Sequence, residues 1–379
     1  MTLGVIGHAP HWIGPDGTPF AYEPYVREMR IWADLFARVR ICSPVGEGPL
    51  TGNLAPYRRG NIDWHPVPYS LSYGPAGAAR RLLRIPGLFV HAWRTVRSSD
   101  FLLLRSPGHF GFVGALLARW KKKRSITKWA GENGAYPGER IPSRLDRVFQ
   151  GIPNPLHPVL VYGPARRSHQ ISFFPALMTS EELSRARVLA AAKTWSAPWK
   201  ILSVGILEPV KGFDLAIRGL AELFRRRPDI DWQFTLVGDG SLRSELKAMA
   251  DAAGIGGRVH LTGALPFEQV QTRYAASNVV LMPGVKEGWP KVIAEAWAHG
   301  AVPMAARAGL VPWILEDATA GVVFDPDPEQ LAKAVESLLG DPARMQTMAA
   351  NLFARAAELS LEQFGVRLER VLTETCGLA

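Results

Sequence analysis

Two glutamates eight residues apart, Glu287 and Glu295, bracket the segment EGWPKVIAE. Pro290 suits the first position of a helix, where its missing N–H costs nothing. That places Glu287 in a loop ahead of the helix and Glu295 inside it, among Ala294, Ala296 and Ala298. Carboxylates accept hydrogen bonds and suit the hydroxyls of a ribose or a hexose. Read as plain structure, Glu287 is a partner for the helix dipole and Glu295 an exposed helix carboxylate. Upstream, Gly205 closes a strand and Lys211 falls just before a helix, whose first turn offers free N–H groups. A lysine there suits a diphosphate, or is a solvated lysine near a cap. Gly238-Asp239-Gly240-Ser241 and Thr262-Gly263-Ala264 follow two more strands. They allow close backbone approach to a ligand, or form capped turns.

The elements that must position these residues are short apolar strands alternating with amphipathic helices. In the first half, strands are expected over 3–6, 39–43, 101–105, 125–129 and 159–162, and helices over 22–37, 78–97 and 109–120. In the second half, strands are expected over 200–204, 232–237, 258–261, 278–282, 301–304 and 321–323. Helices are expected near 213–226, 241–253, 266–276, 290–299 and 328–339. This rhythm, twice over, predicts an α/β chain of two doubly wound parallel-sheet domains facing a cleft, with ligands at the carboxyl ends of the strands. The expected division is a first domain over 1–172, a polar linker over 173–197, a second domain over 198–358, and a C-terminal helix over 359–379 packing back on the first domain.

Composition narrows the function classes. With 47% hydrophobic and 21% charged residues, the 379-residue chain has ample core material for two domains. Cys42 and Cys376 form neither a disulfide framework nor a metal-ligand spacing, so a cytoplasmic compartment and no metal site are expected. No run reaches the roughly 18 apolar residues of a membrane span, and MTLGVIGHAP lacks the basic start of a secretory signal. Residues 1–172 carry 23 Lys and Arg against 10 Asp and Glu, whereas residues 173–379 carry 21 against 24. A basic first half suits an anionic partner.

Taken in order, VGILEPVKGFD, LVGDGSLRSEL, VHLTGALPFEQV and EGWPKVIAEAWAHGAVP resemble the donor domain of the family 4 (group 1) glycosyltransferases of the GT-B fold, polysaccharide-assembly type. The E-x7-E element is the best single match, and the resemblance covers roughly 198–342. It implies a retaining transferase that uses a nucleoside-diphosphate sugar, UDP- or GDP-linked, with no bound cofactor and no metal required. By position, Lys211 would hold the diphosphate, Glu295 the ribose, and Glu287 the transferred sugar beside the amides of Gly288 and Trp289. Gly205 and Gly238 would lie along the donor, and Gly263, Ala264 and Leu265 would border the base. The sequence departs from the commoner pattern at Ile206, where an arginine is frequent, and Lys286, Lys291 or Arg307 could replace that cation. It departs again at Gly288-Trp289-Pro290, where Pro290 removes an amide donor.

The first half carries the acceptor side of this reading. A loop after the first strand contains Gly14, Asp16 and Gly17 and is expected to be flexible, bordering the cleft; its residues are equally those of a plain turn. Many relatives have histidine near Ala130; here Gly131-Glu132 resembles the Gly-Asp of a subgroup, so Glu132 is the candidate acid at the reacting centre and His109 the alternative. Segment 78–97 interleaves Arg80, Arg81, Arg84, Arg94 and Arg97 with Leu82, Ile85, Phe89, Trp93 and Val96, and Lys121, Lys122 and Lys123 follow. Such a face suits peripheral contact with an anionic membrane and a glycan or lipid-linked acceptor, or packs on its own sheet. Other readings are a sugar-nucleotide epimerase or phosphorylase of the same fold, a small-molecule glycosyltransferase, an inactive relative, and a basic nucleic-acid-binding protein. The last lacks any zinc-ligand set or RNP-like motif.

Overall fold

The computed structural model describes residues 1–48, 50, 53–68, 75–130, 141–285, 288–315 and 319–378, with backbone alone for 75–83. The chain forms two compact units: Met1–Ala176 with Phe364–Ala379, and Leu177–Gln363.

Unit 1 runs β1 (Thr2–Ile6), β2 (His11–Ile13), β3 (Pro19–Tyr22), α1 (Glu23–Leu35), β4 (Arg38–Pro44), β5 (Leu54–Pro56), β6 (Ile62–Val67), α2 (Pro75–Arg97), β7 (Phe101–Ser106), α3 (His109–Trp120), β8 (Ser125–Trp129), α4 (Ile141–Gln150), β9 (Val159–Tyr162) and β10 (Gln170–Phe173). Seven strands form one parallel sheet in the order β10-β9-β8-β7-β1-β4-β6. Leu3, Val5 and Ile6 of β1 are wholly buried, as expected for a central parallel strand covered on both faces. The order reverses between β1 and β7, and the segments leaving these two strands diverge at that point. Strands β2, β3 and β5 form a small antiparallel sheet. The segment after β1, expected to be a flexible loop, is therefore a hairpin. Its strands of three and four residues are too short to show alternation. Cross-strand hydrogen bonds, not the local pattern, fix them.

Unit 2 runs α5 (Ser180–Ala190), β11 (Trp199–Val204), α6 (Phe213–Arg226), β12 (Trp232–Val237), α7 (Arg243–Ala252), β13 (Val259–Gly263), α8 (Phe267–Ala276), β14 (Val279–Met282), α9 (Lys291–Ala298), β15 (Val302–Ala306), α10 (Val311–Ile314), β16 (Val322–Phe324), α11 (Pro328–Leu339) and α12 (Pro342–Ala357). Its six parallel strands lie in the order β13-β12-β11-β14-β15-β16, so the switch point falls between β11 and β14. All six strands expected here from sequence are present. The segment 173–197 holds α5, started by a capping box in which Thr179 and Glu182 satisfy each other's backbone amides. Helix α13 (Leu361–Arg370) returns the chain to unit 1, where Phe364 meets Phe173 edge-on at 5.1 Å and Arg124 Nη1 donates to the Cys376 carbonyl at 3.1 Å.

Candidate functional site

In unit 2 the loops leaving the strands are stitched together by backbone. Gly205 N–H donates to the Val237 carbonyl at 3.0 Å, Gly238 N–H to the Gly263 carbonyl at 2.9 Å, and Leu207 N–H to the Asp239 carbonyl at 2.9 Å. Gly238 has φ +143°, and a Cβ there would overlap the Gly205 carbonyl oxygen, so only glycine lets the β11 and β12 loops touch. Gly212 has φ +65°, and its Cβ would come 2.7 Å from the Pro283 carbonyl oxygen. This closes the β11 loop onto the β14 loop, at the switch point.

A cavity of about 190 Å³ opens where those two loops meet. Val204 and Lys211 line it from the β11 side, Pro283 from the β14 side, and Trp289, Lys291 and Val292 from the start of α9. Lys211 ends a short 3₁₀ turn, with Gly212 capping α6 behind it. Helix α9 begins at Lys291, so Pro290 stands one position earlier than expected, as the cap residue with no side-chain cap bond. Its ψ of 108° is extended, which stops the helix there. Trp289 is buried edge-on against Trp297 at 6.3 Å, and its Nε1 has no hydrogen-bond partner among the described residues. Gly288 is partly exposed beside it, while Lys286 and Glu287 lie outside the described residues.

Glu295 is not the freely exposed helix carboxylate of the plain reading. The Tyr274 hydroxyl donates to its Oε2 at 2.6 Å, a short charge-assisted bond. His299 stacks on Tyr274 with ring centroids 5.5 Å apart, and its Nδ1 contacts the Glu295 carbonyl at 2.8 Å. Burial raises the Glu295 pKa above its ordinary value, against the Tyr274 bond and Lys291, which lower it. Burial likewise brings His299 down to about 4, so its ring is neutral near pH 7. Lys193 donates to the His299 and Gly300 carbonyls, each at 2.9 Å, and anchors the end of this helix. Sequence reasoning missed Tyr274, His299 and Lys193. Tyr274 and Lys193 sit on other elements, and no spacing rule links them to Glu295.

The remaining donor-side candidates fall at the same strand edge. Gly263 has φ +79° and faces Arg243, whose Nη2 donates to the Leu261 carbonyl at 3.1 Å. Ala264 is exposed, and Leu265 packs on a cluster that includes Tyr274 and Ala296. Ile206, in place of the frequent arginine, is 65% exposed. Of the proposed replacement cations, Lys291 lines the cavity, while Arg307 Nε is bound to Asp325 Oδ1 at 2.7 Å. Arg243 is a further cation at this edge, absent from the sequence reading.

In unit 1, chemistry gathers where β1 and β7 diverge. His109 is the first residue of α3, after the cap Gly108, whose N–H donates to Asp146 Oδ2 at 3.0 Å. Solvent reaches His8, yet desolvation first, then Arg105 and His109, lower its pKa. Behind them lies a buried ion cluster that the sequence reading did not anticipate. Glu28 accepts from Arg105 Nη1 at 2.9 Å and from Lys128 Nζ, and Lys128 is 1% exposed. Burial alone would raise the Glu28 pKa, but Lys128 and Arg105 outweigh it and hold the carboxyl well below its ordinary range. Lys128 also lies 5.2–5.3 Å over the Phe364 and Tyr162 rings. The loop residues Gly14, Asp16 and Gly17 form the β2–β3 hairpin turn, and Thr18 donates to both Asp16 carboxylate oxygens, at 3.0 and 2.8 Å. Glu132 lies outside the described residues, as does Gly131.

Among the described residues no cluster of three or more metal-ligating side chains occurs.

Residues 190–355 match the family model "Glycosyl transferases group 1". An alpha-D-kanosaminyltransferase of Streptomyces kanamyceticus is 31% identical over 56% of this chain and 55% of its own length. A GDP-mannose-dependent alpha-(1-6)-phosphatidylinositol monomannoside mannosyltransferase of Mycolicibacterium smegmatis is 35% identical over 39% of this chain and 40% of its own. The chain thus spans about half the length of the curated relatives it matches, or less. A sucrose-phosphate synthase of Thermosynechococcus elongatus superposes with a TM-score of 0.70 at 16% identity, covering 99% of this chain and 98% of that one. Anabaena Alr3699/HepE in complex with UDP and glucose gives 0.68 at 16% identity, over 98% and 99%. Those identities show the fold alone, two parallel-sheet α/β units of the GT-B class. The match over 190–355 takes in most of the second unit, which is similar to the group 1 glycosyl transferases.

Proposed function

We propose that this chain is a retaining glycosyltransferase that moves a sugar from a UDP- or GDP-sugar to a hydroxyl of a glycan or lipid-linked acceptor, in cell-surface polysaccharide or glycoconjugate assembly. The observation that carries the reading is the cavity at the β11/β14 switch point, with Lys211 on one wall and the start of α9 on the other. A lysine beside unsatisfied helix N–H groups suits a diphosphate. Glu295, one helical turn beyond Lys291, is assigned the ribose hydroxyls, with Tyr274 fixing its carboxylate. Glu287 is assigned the transferred sugar, next to the Gly288 and Trp289 amides, and the Gly263–Leu265 segment the base. On the acceptor side we assign Glu132 and His109. Retention is assigned to front-face attack assisted by the leaving phosphate, without a protein nucleophile or a metal.

A peripheral place at the inner face of an anionic membrane is part of this reading. No helix among the described residues is long and apolar enough to cross a membrane. Helix α4, however, exposes Ile141, Leu145 and Val148 at one-face spacing, by 74, 53 and 57%. In the same unit Arg84, Arg94, Arg97, Lys121, Lys122 and Arg124 are exposed. Exposed apolar residues and exposed bases on one unit suit an anionic bilayer.

A thermal-shift series over UDP-, GDP- and dTDP-sugars, followed by product analysis with and without acceptor and with and without EDTA, tests the reading. A rise in Tm with one nucleotide sugar and an EDTA-insensitive product of retained anomeric configuration are expected. No shift with any of them, or an epimerised sugar nucleotide as product, would sink it.

A further inference from the structure

Four basic side chains of unit 1 converge away from the β1/β7 switch point. Arg40 of β4, His65 of β6, and His91 and Arg94 of α2 line a cavity of about 370 Å³. Small-molecule sites span roughly 300–1,000 Å³, so this space admits a compact ligand. Arg40 lies near the start of its strand, and Arg94 in the last turn of α2, which leads into the start of β7. The cavity lies along β4 and β6, from Arg40 near the start of β4 to His65 and Pro66 in the second half of β6, whereas His8 and His109 follow the carboxyl ends of β1 and β7.

Arg40 and Arg94 form no ion pair among the described residues, whereas Asp63 acts on His65. Asp63 stands opposite Arg40 in the strand register, yet its Oδ2 takes Arg38 Nε, at 3.4 Å. Arg40 Nε is buried without a hydrogen-bond partner. The nearby hydroxyls are turned to their own helix: Thr95 Oγ1 donates to the His91 carbonyl at 3.0 Å and Ser98 Oγ to the Arg94 carbonyl at 2.9 Å. Two guanidinium groups that line one cavity without a carboxylate bound to either repel one another, and an anion relieves that cost.

We propose that this cavity is a second anion site, separate from the donor cavity, which takes a phosphate group through Arg40 and Arg94 with His65 and His91 beside it. Two guanidinium groups match phosphate oxygens with paired N–H donors, and two imidazoles add donors once protonated. The groups acting on His65 are Arg40 and His91, which lower its pKa together with burial, and Asp63, which raises it. A bound phosphate reverses that balance and raises it.

The test uses inorganic pyrophosphate titrated by calorimetry into the full chain carrying Lys211→Ala and Lys291→Ala, so that the donor cavity lacks both of its lysines. One site is expected, weakened at least about tenfold when Arg40→Gln and Arg94→Gln are added. Arg94 is exposed, so Arg94→Gln alone serves if the combined variant unfolds. The His65 imidazole resonance should titrate at higher pH with pyrophosphate present. Absence of binding, or equal binding after the arginine substitutions, overturns the proposal. Vesicles of phosphatidylcholine with and without phosphatidic acid separate the sources. Phosphatidic-acid capture that depends on Arg94 assigns a lipid headgroup; Arg94-dependent pyrophosphate binding without such capture assigns a soluble phosphate ester.

Discussion

The two units carry the same parallel-sheet architecture and gather functional groups at the same place, the switch point, by different means. Unit 2 builds its edge from backbone: glycines let the β11, β12 and β14 loops touch. Unit 1 builds its edge from side chains, with Glu28, Arg105 and Lys128 buried together beneath His8 and His109. A backbone-built site holds a ligand of fixed shape against N–H groups and tolerates few substitutions. A side-chain-built site can be re-cut for another acceptor while its sheet is kept. Under the proposed function, that contrast suits one unit with a common donor and another with a variable acceptor.

The largest effect should come from breaking the ion cluster. Glu28→Gln leaves Lys128 and Arg105 without their carboxylate and should cost about 3–5 kcal/mol in urea unfolding. The Glu28 pKa is depressed in the folded state, so its contribution is present above the ordinary carboxylate pKa and is lost as pH falls below it. The acid limb of the stability profile should therefore flatten in Glu28→Gln. Next, Lys211→Ala should weaken nucleoside-diphosphate binding by about 1.5–3 kcal/mol in a calorimetric titration, with little change in the Tm of the free protein. Gly238→Ala should cost about 1–3 kcal/mol of stability by forcing a side chain into a strained backbone, and should weaken nucleotide binding with it.

The smallest stability effect sharpens the contrast by its sign. Glu295 has a raised pKa in the folded state, so its ionisation opposes folding as pH rises past the ordinary carboxylate value. Glu295→Gln should raise the Tm of the free protein slightly near pH 7 while weakening nucleotide binding. Glu28 and Glu295 thus predict opposite pH slopes, and equal slopes would erase the distinction between the two edges.

The same difference explains what could be read from the sequence. In unit 2, Lys211, Gly238, Gly263 and Glu295 each stand within a few residues of a strand end or helix start. Strand and helix periodicity, with glycine and proline punctuation, therefore placed them together at one sheet edge. In unit 1, Glu28 lies 77 residues from Arg105 and 100 from Lys128, on three different elements. No local pattern joins them, and a buried lysine within SITKW looks like any strand residue. Tyr274 escaped for the same reason, 21 residues from Glu295 on a neighbouring helix. The β2–β3 hairpin escaped because Gly14, Asp16 and Gly17 read as a flexible loop when they are its turn.

The central claim is that the β11/β14 cavity holds the diphosphate of a nucleotide sugar. Titration of UDP-glucose and GDP-mannose into wild-type, Lys211→Ala and Glu295→Gln proteins tests it most directly. The account predicts saturable binding of one of them by the wild type, weakened at least about tenfold in each variant. Binding of equal strength in all three proteins, or none in the wild type, would contradict it.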